Sequence, residues 1–379
     1  MADEVFEDEF HKVEVKRGAD AHADSGWYWT SSFPEDPTGE KGYHATREDV
    51  SVWNVSPLIK WRFEGPDAPK ALEHIGTNNV VDLKVGRVRY SLLLDDDGKM
   101  IDEGTIYRIS DTAFFYMINN EGEAQEAHWD KYLGKMDVKI TNVARGMPNL
   151  AIQGPRSREV ATKLAPKVDV AGLKYFNFIT EPVDFAGAKV WLTRTGYSGE
   201  LGYEVFLTNP DDAGKVYEAV VAENAYPIGT DAVLRYRAES GLVITGVDYS
   251  IEKDPKTNPY DIGLDHAIKL DHDFVGKAGI EADVANPPNR YVTLKVEGDE
   301  ESGYGADVVK DGRVVGIARS PAVSPKFGAI TLATVPTELS APGTEFEVVW
   351  EAEGEGEKRV KAVADVNPLY DNKKQRVRM

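Results

Sequence analysis

The 379-residue sequence contains no cysteine. That absence removes disulfides, thiolate nucleophiles, zinc–thiolate sites and iron–sulfur clusters together, and it leaves the redox compartment unreadable. No run of eighteen apolar residues occurs, so no membrane-spanning helix is expected. The acidic opening MADEVFEDEFHKVEVKRG also lacks the apolar stretch of a secretory leader, which points to a cytoplasmic protein. Basic residues are in deficit: 44 Lys and Arg against 64 Asp and Glu give a formal net charge of −20. Nucleic acid and anionic membranes both select clustered cations, so neither is an expected partner. The seven histidines form no metal-ligand pair on a predicted helix face, and no metal site is expected.

What is present is material for a sizeable core, with 41% hydrophobic and 10% aromatic residues, and a length that predicts two or three domains. Residues 1–42 are polar and hold Trp27, Tyr28, Trp29 and Phe33 among Gly and Pro, which reads as an irregular arm packed on a later domain. VRYSLLL and MIDEGTIYRI flank Asp95-Asp96-Asp97-Gly98-Lys99, a hairpin signal, and AFFYMIN supplies a third strand before helical spacing over 122–132. Asn149–Gln153 reads as a buried strand entering a helix at Ser157–Leu164. A hairpin over 182–194, a strand over 203–207 and helices over 211–221 and 229–241 follow. Strands and helices recur on both sides of residue 145 without the strict alternation of a doubly wound sheet, so the class is α+β. VANPPNR marks a linker, and the short strands beyond it predict a barrel or sandwich of about 90 residues. The expected boundaries are 1–283, with a subdomain at 48–145, and 284–379.

One segment is chemically unusual: Arg194-Thr195-Gly196-Tyr197-Ser198-Gly199-Glu200-Leu201-Gly202-Tyr203-Glu204. Its three glycines let backbone approach something closely, and it lacks the spacing of a dinucleotide fingerprint. Glu204 then enters a strand, where a buried carboxylate demands a partner. A ligand edge with two adjacent N–H donors, such as a pterin or guanine, is one answer; an ion pair with Arg237 or another base is the other.

TRTGYSGELGYEVF, followed by RAESGL, NPYDIGLDHAIKLD and DFVGKAG, resembles the folate-binding domain of the aminomethyltransferase family, which includes the glycine-cleavage T protein and the tetrahydrofolate-dependent demethylases. HATREDVSVWNVSP, VGRVRYSLLLDDDGKMIDEGTIY and NLAIQGPRS fit the same family in the same order. The resemblance implies three domains in a ring, mixed sheets with helices and a C-terminal β-barrel, with tetrahydrofolate in the central opening, pterin inward and glutamyl tail outward. It implies that Glu204 holds the pterin N–H edge, that Tyr197 and Glu200 line the same cavity, and that Asp102 faces the reactive nitrogens. Asn119 lies at the family's strand end, and Tyr90 is a stacking wall or a core tyrosine. The sequence departs from the T-protein pattern at Asn54-Val55-Ser56-Pro57-Leu58, where a DVSHM-like segment is usual.

Two reactions fit this resemblance. In one, a methyl group moves from a small S-, N- or O-methylated compound to N5 of tetrahydrofolate, with Trp27, Tyr28 and Trp29 forming a cation–π or stacking wall for the donor. In the other, an aminomethyl donor yields 5,10-methylenetetrahydrofolate and Asp102 acts at the nitrogens. The sequence favours methyl transfer, because the histidine of the DVSHM-like segment is missing. A non-catalytic folate-binding protein is the third reading. The donor's identity, a carrier protein and the oligomeric state stay open.

Overall fold

A computed structural model describes residues 5–249, 257–352 and 354–379. The chain forms two compact units: the first holds the chain up to Ser91, Asp102–Val233 and Gln375–Met379, and the second holds Leu92–Ile101 and Leu234–Lys374. Mixed sheets, helices and a closed barrel make the fold α+β.

The N-terminal arm departs from the irregular segment expected. It folds as a helix, Glu9–Lys16, and a hairpin of β1 (Asp20–Asp24) and β2 (Trp27–Ser32). Asp8 caps the helix by accepting from the backbone N–H groups of Phe10 at 2.9 Å and His11 at 3.2 Å. Ser25 and Gly26, at φ 51° and 80°, close the hairpin in the left-handed region that such tight turns require. The helix escapes sequence patterning because its buried residues are Phe10, His11 and Glu14, two of which are polar.

The strands that follow in this unit are β3 (Ser51–Asn54), β4 (Ile59–Glu64), β5 (Val88–Leu94), β6 (Met100–Arg108), β7 (Ala113–Ile118), β8 (Lys139–Asn142), β9 (Asn149–Gln153), β10 (Val183–Phe185), β11 (Ala188–Thr193), β12 (Gly202–Leu207) and β13 (Tyr226–Ile228). The tips of β5 and β6 belong to the second unit. One sheet runs β5–β6–β7–β4–β8 and the other β10–β11–β12–β9–β3–β13, where β13 joins β3 in parallel. The sheets pack face to face through Tyr107, Phe115 and Met117 on one side and Phe206 and Trp191 on the other. The Phe115 and Trp191 rings are 5.4 Å apart, and those of Tyr107 and Phe206 are 6.2 Å apart. The opposite face of the six-stranded sheet, with Val52, Leu150, Ile152, Val190 and Val205, packs on the helices Ser157–Leu164 and Ala213–Ala222. This sheet is therefore largely covered on both faces, and a polar side chain on its inner face calls for a partner.

In the second unit, β14 (Asn289–Val296), β15 (Asp307–Lys310), β16 (Arg313–Ser324), β17 (Gly328–Pro336), β18 (Glu345–Ala352) and β19 (Gly356–Asp365) close into a barrel, β19 returning to pair with β14. Leu294, Val308, Ala333, Val335 and Val348 fill it. Arg237 is committed within this unit to a buried ion pair with Asp248 at 3.0 Å, to which Ser320 and Tyr291 also donate. Among the described residues, no helix is long and apolar enough to cross a membrane.

Candidate functional site

Strand register builds the site. Thr193, Glu204, Ala151, Trp53 and Ile228 stand opposite one another across five strands of the six-stranded sheet. Direct partners share a face, so the Glu204 carboxylate and the Trp53 indole flank the small Ala151 side chain on the face that meets the other sheet. Glu204 is 6% exposed, and among the described residues its hydrogen-bond donor is Thr195. Thr195 is in turn contacted by Tyr107 at 3.5 Å, and Tyr107 by Thr105 at 3.3 Å, a line of hydroxyls crossing between the layers. Burial raises the Glu204 carboxyl above its ordinary value, opposed by the Thr195 hydrogen bond and the Lys60 charge.

The glycine-rich segment is shaped by Gln153. Its amide donates to the carbonyls of Thr195 and Tyr203 at 3.3 and 3.4 Å and accepts from Ser198 Oγ at 2.6 Å. A Cβ on Gly196 or Gly202 would lie 2.0 or 2.3 Å from that amide, so a side chain at either position would have to push the Gln153 amide out of its hydrogen bonds. Tyr197, on the same segment, lies 6.4 Å from Trp53. Glu200 points elsewhere than expected: it pairs with Arg376 at 2.7 Å and Arg47 at 3.4 Å, and it ties the loop rather than lining open space.

Asp102 and Glu103 form an adjacent acidic pair on β6. Asp102 is fully buried and accepts five N–H bonds: from the backbone of Glu103 at 2.8 Å, from Asn119 backbone and side chain at 3.1 and 2.9 Å, and from Asn120 backbone and side chain at 2.9 Å each. Burial pushes its carboxyl up, while those bonds favour the ionised form. The Asn119 amide also reaches Glu103 Oε1 at 3.0 Å, and Glu103 is hydrogen-bonded to Tyr90. Asn119 therefore clamps both carboxyls. Tyr90 lies on the wall of an open cleft of about 560 Å³ whose cations are Arg87, Arg89, Lys174, Arg194 and Arg378.

The three arm aromatics do not act as one wall. Trp27 is buried, edge-on to Phe6, and donates through Nε1 to Glu121 at 3.1 Å. Tyr28 stacks on His11 at 5.0 Å. Trp29 alone joins the site, 6.0 Å from Trp53. Sequence reasoning did not single out Trp53 and Lys60, which lie near Glu204, or Glu103, which adjoins Asp102. Lys60 alternates with Ile59, Trp61 and Phe63 and so mimics a solvent-facing position, yet it is fully buried. Among the described residues, no group of three or more acidic or histidine side chains is arranged to hold a metal ion.

A mixed six-stranded sheet carrying this glycine-rich loop, joined in sequence to a closed barrel, defines the class. The chain belongs to the glycine-cleavage T-protein family: the GCVT N-terminal domain matches residues 10–272 and the glycine cleavage T-protein C-terminal barrel domain matches residues 289–371. By that membership it is a one-carbon transferase. It is similar to an aminomethyltransferase of Listeria welshimeri serovar 6b, 32% identical over 98% of this chain and 99% of the relative. It is also similar to an aminomethyltransferase of Clostridium botulinum strain Kyoto, 32% identical over 89% of this chain and 91% of the relative. In fold it is similar to the crystal structure of glycine cleavage system aminomethyltransferase T from Bartonella henselae, with a TM-score of 0.84, 24% identity, and coverage of 95% of this chain and 97% of that one.

Proposed function

We propose that the chain transfers a one-carbon unit at the formaldehyde level from an aminomethyl donor to tetrahydrofolate in the cytoplasm, giving 5,10-methylenetetrahydrofolate, ammonia and the protonated group that carried the aminomethyl. The observation that carries this reading is Glu204. A buried carboxylate with Thr195 as its donor retains acceptor capacity for a bidentate N–H edge, which a pterin offers. The cleft beside Tyr90, with five cations in a chain of net charge −20, is complementary to a folate's glutamate. Relatives named aminomethyltransferase favour this reaction over the methyl transfer that the sequence favours.

Tetrahydrofolate supplies, when bound, the nucleophilic nitrogens that take the carbon. Glu204 orients the pterin, Tyr197 and Tyr90 offer ring faces to it, and Asn119 fixes the acidic pair. Asp102, raised by burial but held by N–H donors that favour its ionised form, would as a carboxylate stabilise the positive charge developing on the transferred carbon. Incubation with tetrahydrofolate and a panel of aminomethyl and methyl donors, with the folate product resolved by mass, tests this directly. 5-Methyltetrahydrofolate as the product would overturn the reading in favour of demethylation. In the Asp102→Asn variant, methylene transfer is expected to fall by several orders of magnitude, with folate binding measured alongside because Asn119 and Asn120 lose an acceptor.

A further inference from the structure

Two donors buried beside Glu204 have no partner among the described residues. Asn149 is fully buried, and its amide nitrogen and amide oxygen are both unpartnered. Trp53 is 7% exposed, and its indole N–H is unpartnered too. Buried polar atoms are ordinarily satisfied, so two such donors at one place call for an acceptor that the described residues do not supply.

Strand register puts both on the Glu204 face. Ala151 stands opposite Glu204 on one side and Trp53 on the other, and Asn149 lies two residues along the Ala151 strand, opposite Phe206. Asn149 is therefore the diagonal neighbour of both Glu204 and Trp53, about 7–8 Å from each along the backbone. Between the three, Ala151 contributes only a methyl group. The result is one acceptor, the Glu204 carboxylate, with two unused donors on its β9–β3 side. Its other side is occupied, since Thr195 donates to Glu204 and Tyr107 contacts Thr195 at 3.5 Å.

The surrounding charge decides what kind of acceptor fits. Lys60 is fully buried opposite Met117 on the facing sheet, tied to the Ser56 carbonyl at 2.8 Å, and the charges facing it are Asp8, Glu204 and Glu121. Three carboxyls against one amine disfavour an anion. A neutral acceptor is the complementary group.

A pterin carries one in the required place. Along its pyrimidine edge the 2-amino N–H and the N3–H stand side by side, and the 4-oxo oxygen follows N3–H directly. A carboxylate that accepts the two N–H groups therefore has the 4-oxo oxygen next to it, and a carbonyl oxygen has two lone pairs for two donors. We propose that the Asn149 amide and the Trp53 indole both donate to the 4-oxo oxygen of the pterin whose N–H groups Glu204 accepts. They determine specificity, because a site built to donate to an oxo group rejects a ring that carries an amino group there. This rests on the folate reading of Glu204 above and adds the donor half of the recognition. The Asn149 amide can turn its oxygen toward an amino group, whereas the indole cannot, so Trp53 carries the sharper discrimination.

The test is a calorimetric titration of the full-length protein with 5-formyltetrahydrofolate and with its 4-amino-4-deoxy counterpart. The wild type is expected to bind the 4-oxo compound roughly tenfold or more tighter. Trp53→Phe keeps a ring and removes the N–H, so it should weaken the 4-oxo compound by about three- to tenfold and leave the 4-amino compound within about twofold. Asn149→Leu should shrink the preference in the same sense. Equal affinity of the wild type for the two compounds, or an unchanged preference in Trp53→Phe, would overturn the proposal. A loss shared equally by both compounds would overturn it too, because that marks a packing role. Should Asn149→Leu fail to fold, Trp53→Phe decides alone. Binding of neither compound by the wild type strikes the folate reading as well, whereas binding with an unaltered preference in the variants strikes this proposal only.

Discussion

Glu14 and Glu204 are both carboxyls buried without a cation at salt-bridge distance among the described residues, and burial raises both above their ordinary value. Glu14 receives Thr30 Oγ1 at 2.8 Å and Asn54 Nδ2 at 3.3 Å, but Asp8 shares the same Asn54 amide, and burial raises the Glu14 carboxyl to about 8. A folded-state value raised above the unfolded one means the native protein holds a proton that the unfolded chain releases. The stability this contributes is complete below about pH 4.5 and is lost as pH rises through about 8. Glu14→Gln, which cannot ionise, should therefore melt at a temperature that varies less with pH across that window, and the wild type should fall behind it by a few kcal/mol near pH 8. Thermal denaturation of both proteins from pH 4.5 to 8.5 checks this, and parallel curves would mean that Glu14 stays ionised throughout.

Elements with a strong local signal were legible before the structure. Asp95–Lys99 closes the β5–β6 hairpin, with Gly98 at φ 76° and Asp95 N–H bonded to the Lys99 carbonyl at 2.9 Å. The helix Ser157–Leu164 and the barrel strands follow their patterns equally well. The arm did not, because its helix buries polar residues that only tertiary partners satisfy. Lys60 was unreadable for a related reason: a polar residue alternating with apolar ones in a strand signals a solvated face unless a second sheet covers it. The glycine-rich loop was legible as an element whose partner was not. Gln153 occupies the space that a side chain at Gly202 would need, so Gly202→Ala should displace the loop, lower stability by about 1–3 kcal/mol and weaken folate binding. Adding Gln153→Ala removes that clash but also the amide bonds that hold the loop, so the double variant should lose less than the two single variants summed. A double variant no better than the sum of its parts would place the requirement for glycine elsewhere.

Charge is distributed unevenly over the molecule, and the imbalance has a measurable consequence. A net charge of −20 repels an anionic ligand from most directions, while Arg87, Arg89, Lys174, Arg194 and Arg378 gather around one open cleft. Two of these cations are held by neutral groups, Arg87 by Asn177 at 2.6 Å and Arg89 by the Asn79 carbonyl at 2.7 Å. Neutral anchors fix position without cancelling charge, so the cleft keeps a positive field inside a negative surround. Salt acts on both parts in opposite senses. It screens the long-range repulsion, which speeds encounter, and it weakens the short-range attraction, which speeds release, with a screening length of about 10 Å at 0.1 M. A ligand held in the cleft touches the cations that line it, so attraction dominates the equilibrium. Folate affinity is therefore expected to fall as salt rises, and an Arg87→Ala, Arg89→Ala double variant should bind more weakly at low salt with a shallower dependence. Folate titrations of both proteins across a salt series check this. Equal slopes would mean that the ligand's anionic end lies outside the cleft, and a rising affinity would mean that the surrounding acidic surface governs binding.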